Sequence, residues 1–298
     1  FLEKNKKKKI FIFLDSNVKK FCLQDFLLLF PICKDAIVLE INAGESSKSI
    51  DITSSIFVRL INKNADKDSL FINLGGGVIS DLGGFIASIF NRGISYINFP
   101  TTLLAQVDAS IGGKTGINFN GIKNKIGVIN NPIFVIVLTD FLKTIPNNQL
   151  VSAYAEIYKY ALIQDFLMWK DLSVRKIYDL DGLEKIILKS IKIKQSIINQ
   201  DLYEKGSRKI LNFGHTIGHA IESVFFENPQ VNHGLSVVMG MICELYISHI
   251  LLGFPKKDLH AITKLFFQKF PLIKLNNLDQ VIYFVTKDKK KQKWNFSV

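Results

Sequence analysis

The sequence predicts an α/β fold whose first half holds a mostly parallel sheet and whose second half is helical. Three observations predict it: short apolar β-rich runs alternate with helix-like stretches up to about residue 140, a glycine-rich strand-to-helix turn lies among them, and strand signals then cease. Residues 9–14 (KIFIFL), 36–41 (AIVLEI), 69–74 (SLFINL), 94–99 (ISYINF) and 133–138 (IFVIVL) read as strands buried on both faces, because β-branched and aromatic residues run together without polar alternation. Helical patterns separate several of them, as at residues 48–62 and 80–90. Strands alternating with helices imply a Rossmann-like domain over residues 1–142. Residues 150–169, 183–200, 214–226 and 233–252 show apolar positions at i, i+3 and i+4, so residues 143–298 are expected to form an all-helical domain. With no repeat and no low-complexity linker, the two halves are expected to pack closely, with the site in the cleft between them.

Composition narrows the functional classes. A chain of 298 residues with 48% hydrophobic content can bury a sizeable core. It opens at Phe1 without a methionine and closes at Val298 inside a strand-like run, so both ends are expected to be cut. The balance of 38 basic against 26 acidic residues gives +12 and raises nucleic acid, membrane surface or anionic small molecules as partners. The basic clusters at residues 6–9 and 287–293 lack interleaved aromatics and any nucleic-acid motif; they read as solvated faces, with neither nucleic acid nor membrane as partner. Two of the four arginines, Arg92 and Arg208, fall in segments rich in other unusual residues and are candidate oxyanion clamps. Cys22, Cys33 and Cys243 are odd in number and have no C-x-x-C spacing, which points to a reducing cytoplasm. No apolar run is expected to span a membrane, since Asn73, Ser80 and Asp81 interrupt the best candidate.

Three segments carry chemistry. Residues 99–130 (FPTTLLAQVDASIGGKTGINFNGIKNKIGVIN) place Asp108, Lys114, Lys123 and Lys125 among short side chains between two apolar runs. Such a segment lets backbone N–H groups approach a ligand, and a buried lysine beside an aspartate binds an oxyanion or moves a proton. It reads as an active-site loop. In LFINLGGGVISDLGGF, the glycines Gly75, Gly76 and Gly77 join a strand to a helix expected near Ser80, a place where phosphate meets the positive end of a helix, although a purely structural turn fits equally. FGHTIGHAIE puts His215 and His219 at i, i+4 on one helix face, and NHGLSVVMGM adds His233. T-I-G between the first two excludes the metalloprotease pattern. Two imidazoles and one acid complete a three-ligand catalytic metal site, and Glu156, in the otherwise apolar SAYAEIYKYA, is the best acid because an unpaired carboxylate there would be costly. A satisfied core histidine remains the alternative for each imidazole.

Residues 99–118 and 123–127 resemble the signature of the 3-dehydroquinate synthase family, FPTTLLAQVDxSxGGKTGxN followed by KNxIG, and the resemblance extends over most of the chain. It implies an NAD- and zinc- or cobalt-dependent cyclase converting 3-deoxy-D-arabino-heptulosonate 7-phosphate to 3-dehydroquinate and phosphate, as a cytoplasmic homodimer. Gly76, Gly77, Val78 and Asp81 match the family's pyrophosphate segment, and Asp15, Glu45, Lys48, Thr101, Thr102, Asp108, Lys123 and Thr144 match further cofactor positions. An acid at Asp15 or Glu45 suits ribose hydroxyls and favours NAD over NADP. The resemblance makes Glu156, His215 and His233 the zinc ligands. It gives substrate hydroxyls to Asp108, Lys159 and Lys194, the carboxylate to Arg208 and Asn212 with Glu204 nearby, and phosphate to Lys114, Asn124, His219 and Arg92, the last from a neighbouring subunit.

Several residues depart from the family pattern. Leu235 stands where HGE is usual, Ala153 and Ala161 replace glycines, Asn42 replaces a proline, and Trp294 follows the surviving Asp288, Lys289 and Lys290 in place of glycine. A related sugar-phosphate cyclase of inosose or valiolone type, an inactive homologue, and a basic nucleic-acid or membrane-surface binder are the competing readings.

Overall fold

The computed structural model describes residues 8–225, 228 and 230–288, and the chain divides into two compact units, residues 1–145 and 146–298. Lys289, Lys290, Trp294 and the start of the basic cluster at residues 6–9 lie outside the described residues.

In the first unit β1 (Ile10–Asp15), β2 (Ile37–Ile41), β3 (Leu70–Gly75) and β4 (Ser95–Pro100) stand where buried runs were expected. The main sheet is parallel throughout, in the order β2-β1-β3-β4-β7, its outer strand β7 (Phe134–Val135) being only two residues long. α1 (Ser16–Phe21) and α2 (Leu23–Leu29) lead from β1 to β2, α3 (Ile50–Asn62) leads on to β3, and α4 (Gly77–Ile89) joins β3 to β4. Successive strand residues face opposite sides. Phe11, Phe13 and Phe71 pack with Ile56, Leu60 and Phe85, while Ile12, Leu14, Ile72 and Phe99 pack with Phe26. Both faces are covered, which is why these strands lack polar alternation.

The topology places the cofactor candidates. The chain builds β2 on one side of β1 and then returns to build β3 on the other, so the carboxyl ends of β1 and β3 flank the switch point where open parallel sheets bind ligands. Asp15 ends β1, and Gly75 ends β3.

Two expectations for this unit need correction. α4 starts at Gly77 instead of near Ser80. The presumed loop at residues 99–130 contains a π-helical turn at Ala105–Ala109 and an antiparallel hairpin of β5 (Lys114–Phe119) and β6 (Ile122–Ile129). Asn120 and Gly121 form its tip with φ of 49° and 75°, the conformation that an Asn-Gly hairpin turn requires.

The second unit has no strand among its described residues. It comprises α5 (Asn147–Gln164), α6 (Phe166–Val174), α7 (Leu183–Gln200), α8 (His215–Val224), α9 (His233–Leu252), α10 (Lys256–Lys269) and α11 (Leu278–Asp288). The continuous helix expected over residues 150–169 is broken at Asp165, whose carboxylate accepts from the Met168 N–H at 2.8 Å and caps α6. α9 corrects the membrane expectation. Its 20 residues, with a mean hydropathy of 1.9, suffice by length and composition to cross a bilayer, but half of that stretch is buried within the unit. It packs against α5, α8 and α10, as the core helix of a bundle does.

Candidate active site

Four glycines determine how closely the second unit's helices approach. A Cβ built at Gly240 would lie 1.9 Å from the Gly214 carbonyl oxygen, one at Gly218 2.9 Å from the Ser236 oxygen, and one at Gly234 2.2 Å from the Ser152 oxygen. α8, α9 and α5 therefore meet backbone to backbone, a contact that any side chain at these positions would prevent. Gly214 also takes φ of 79°, and its N–H donates to Glu244 of α9 at 2.9 Å, which ties the start of α8 to its neighbour. His215 begins α8, His233 begins α9, and Glu156 lies in the middle of α5.

These three side chains converge. His215 Nε2 is 3.2 Å and His233 Nε2 3.6 Å from Glu156 Oε1, and one ligand atom from each residue lies within 4.8 Å of the others. Glu156 is fully buried, and Lys159, one turn along α5, forms an ion pair with its other oxygen. Burial pushes the Glu156 carboxyl up, but Lys159 and His215 outweigh it and hold the group well below the usual carboxylate range. Burial works against the His233 cation, yet hydrogen bonds to Glu156 and Glu222 push its imidazole up to about 9. Two nitrogens and one anionic oxygen around a common point form a donor set suited to a divalent ion with an open position, and a buried carboxylate with no such partner would be hard to retain.

His219, on the same face of α8, has its ring 5.3 Å from that of His215 and 5.9 Å from that of His233. Lys194 of α7 is buried. Arg208 is buried as well and donates from Nη1 to the Leu202 carbonyl at 2.6 Å; Asn212 donates to Glu204, which holds a positive φ of 57°. Arg208 and Asn212 are thus held by groups of their own loop.

In the first unit, the glycine turn and the candidate cofactor residues form a connected surface. Gly76 precedes α4 without a side-chain cap, leaving the positive end of that helix facing the switch point, and a Cβ on Gly76 would meet Thr102 at 3.0 Å. Thr101 is buried, its N–H donating to the Gly75 carbonyl at 3.0 Å, and the Thr102 hydroxyl accepts from the Ala105 N–H at 3.2 Å. Lys48, only 4% exposed, pairs with Asp81 at 2.6 Å and donates to Asn124. Asn124 N–H donates to Asn118 Oδ1 at 2.9 Å, and Asn118 Nδ2 donates to Glu45 at 2.8 Å. One network thus joins Glu45, Lys48, Asp81 and Asn124.

Other placements modify the sequence reading. The buried lysine beside an aspartate is Lys48 with Asp81, whereas Lys114, Lys123 and Lys125 on the hairpin are exposed. Asp15 accepts from the Asn17 and Val18 N–H groups at 2.9 and 3.0 Å and caps α1. Val78 lies in the first turn of α4, Asp108 in the π-helical turn, and Thr144, itself exposed, ends a 3₁₀ turn. Arg92 is exposed, with φ of 64°, just before Gly93. Sequence reasoning missed Glu222, Glu244, Ser152 and Asn118. Glu222 had a signal, since His215, His219 and Glu222 follow i, i+4, i+7 along one face.

Comparison with known proteins identifies the family. Residues 38–152 match the family described as 3-dehydroquinate synthase N-terminal, and residues 153–291 match 3-dehydroquinate synthase C-terminal. A 3-dehydroquinate synthase from Parabacteroides distasonis is 39% identical over 98% of this chain and 84% of its own length. One from Streptococcus pyogenes is 43% identical over 75% of this chain, a match that spans 62% of that relative. Among solved structures, a 2-deoxy-scyllo-inosose synthase complexed with carbaglucose-6-phosphate, NAD+ and Co2+ superposes with a TM-score of 0.86 at 28% identity, covering 96% of this chain and 80% of that one.

Proposed function

Since the chain belongs to the 3-dehydroquinate synthase family, we propose that it converts 3-deoxy-D-arabino-heptulosonate 7-phosphate to 3-dehydroquinate and inorganic phosphate, with NAD and a divalent ion, zinc or cobalt, as its cofactors. The observation that carries the reading is the convergence of Glu156, His215 and His233 from three helices on one point. When bound, NAD would supply reversible hydride acceptance from one ring carbinol carbon, and the metal held by Glu156, His215 and His233 would supply Lewis acidity at that carbon's oxygen. The glycine turn at residues 75–77 and the uncapped start of α4 suit the pyrophosphate of NAD, which needs backbone N–H groups and no intervening Cβ. The structural neighbour that binds NAD+ and Co2+ supports the same cofactors here.

The chain's own residues then divide the work. Glu156, His215 and His233 hold the ion, while Asp108, Lys159 and Lys194 orient the surrounding hydroxyls. Arg208 presents a planar cationic fork to the substrate carboxylate, with Asn212 beside it. Lys114, Asn124, His219 and Arg92 take the phosphate, Arg92 from the second subunit of a homodimer. Glu45 and Asp15 would serve the cofactor ribose, and Lys48 fixes Asp81 by an ion pair. The family resemblance also supports a cytoplasmic location.

A related cyclase of inosose or valiolone type is the second reading, favoured by the solved neighbour. Its substrates lack the carboxylate, so Arg208 and Asn212, together with curated relatives at 39% and 43% identity, weigh toward the dehydroquinate reaction. The test is phosphate release from the heptulosonate phosphate with NAD, before and after chelation and after return of zinc. Release that disappears with chelation and returns with zinc is expected. Phosphate release only from a hexose phosphate, or none from either, would overturn the assignment.

A further inference from the structure

We infer that Glu222 is a positioning residue for the metal site, holding His233 in the tautomer and orientation that offer Nε2 to the ion; this rests on the metal reading above. His233 Nδ1 lies 3.2 Å from Glu222 Oε2, while Nε2 of the same ring faces Glu156. An ionised carboxylate only accepts hydrogen bonds, so Nδ1 keeps its proton toward Glu222, and it is Nε2, directed to where the ligands meet, that gives up its proton to offer a lone pair to an ion. His215 reaches the same state by another route. Its Nδ1 lies 3.2 Å from the Phe213 carbonyl oxygen, which likewise leaves Nε2 toward Glu156.

The two imidazoles are therefore oriented alike but by unequal partners. A backbone carbonyl holds His215, whereas a charged carboxylate holds His233. A carboxylate behind an imidazole raises the ligand's basicity as well as fixing its ring, and loss of such a partner typically lowers metal affinity by about 10- to 100-fold. The α8 stripe explains how the contact arises. His215 and Glu222 lie seven residues apart on one helix face, so α8 supplies one ligand directly and the support for the ligand on α9. The backbone contacts at Gly218 and Gly240 fix the register of α8 against α9, and Asn232 caps α9 by accepting from the Leu235 N–H at 3.0 Å. Glu222 and His233 thus face each other across an interface with little freedom to slide.

Glu222 also lies near His219, and His219, Glu222 and His233 can bring ligand atoms within 4.8 Å of one another. A second ion there would have to take His233 Nδ1, the nitrogen that donates to Glu222. The orienting role uses every nitrogen of His233 once, without requiring a shared imidazole.

The experiment titrates Co2+ alone into the metal-free full chain and follows its visible absorption. Wild type, Glu222→Gln and Glu222→Asp are compared, with far-UV circular dichroism of each metal-free protein. Glu222→Gln keeps the size and removes the charge, and it should weaken cobalt binding by about 10- to 100-fold and shift the absorption bands while the helical spectrum stays unchanged. Glu222→Asp, which restores the carboxylate on a shorter arm, should recover part of the affinity. Wild-type affinity and bands in Glu222→Gln would overturn the inference and leave the metal reading intact. Failure of the wild type to bind cobalt would overturn both. Saturation at two ions per chain, with one lost in Glu222→Gln and the remaining affinity unchanged, would replace the orienting role by a second metal site.

Discussion

Substituting Gly240 by alanine tests whether backbone contact between α8 and α9 sets the metal geometry. The new Cβ would sit 1.9 Å from the Gly214 carbonyl oxygen and 2.8 Å from the Gly218 nitrogen, where real Cβ contacts do not fall below 3.0 Å. The obstructing atoms are backbone, so no side-chain rotation relieves the clash. The helices must move apart by at least 3.0 − 1.9 = 1.1 Å at a point one residue from His215. Overpacking of this kind costs about 1–3 kcal/mol, which for a unit of this size lowers the melting midpoint by about 2–12 °C. The effect on metal binding should be larger in proportion, because ligand distances tolerate only about 0.2 Å. Differential scanning calorimetry of the metal-free protein and cobalt titration measure the two effects. Ser223→Ala, an exposed change on the facing helix α8, serves as the control and should stay within about 0.5 kcal/mol. A Gly240→Ala protein with wild-type melting and wild-type cobalt affinity would refute the argument that this contact positions His215.

Two further outcomes follow from the buried charges. Glu156→Gln removes the partner of the buried Lys159 and should destabilise the metal-free protein by about 3–5 kcal/mol in chemical denaturation, whereas adding Lys159→Met should recover part of that loss; a double variant no more stable than the single one would refute the pairing. His233, raised to about 9 from a usual value near 6.5, stabilises the metal-free fold fully below about pH 6.5, and that contribution is lost as pH rises through about 9. Zinc must displace this proton, so binding near pH 7.5 should release about one proton and weaken as pH falls. Calorimetric titration in buffers of different ionisation heat measures the release, and a heat independent of buffer would contradict the assignment.

The sequence made the parallel sheet legible because its strands are buried on both faces, and runs such as IFIFLD and LFINLG can be little else. It concealed the β5–β6 hairpin because β6 is largely exposed and β5 buries only Gly116 and Ile117, so neither shows clear apolar alternation, and only Asn120–Gly121 marks the turn. Glu156 and the two histidines were legible because acids and imidazoles are unusual within apolar, glycine-rich helices. Lys48 was not recognisable as the buried lysine, since its partner Asp81 is 33 residues away and only folding brings them to 2.6 Å. Glu222 was equally hidden: its helical stripe was visible, but the ring it supports comes from another helix.

The departures from the family pattern also become intelligible when the close contacts are compared with the replaced positions. Gly214, Gly218, Gly234 and Gly240 are retained where a Cβ would strike backbone at 1.9–2.9 Å. Ala153 and Ala161, which stand where glycines are usual, are buried on α5 and fill core space with a single methyl each. Leu235 is buried too, and the Asn232 cap uses only its backbone N–H, so the side chain at that position is not what holds the start of α9. A glycine required for close approach cannot acquire a side chain without moving a ligand, whereas one that merely leaves space can. Ala153 and Ala161 fall in the second class, which leaves the convergence of Glu156, His215 and His233 undisturbed.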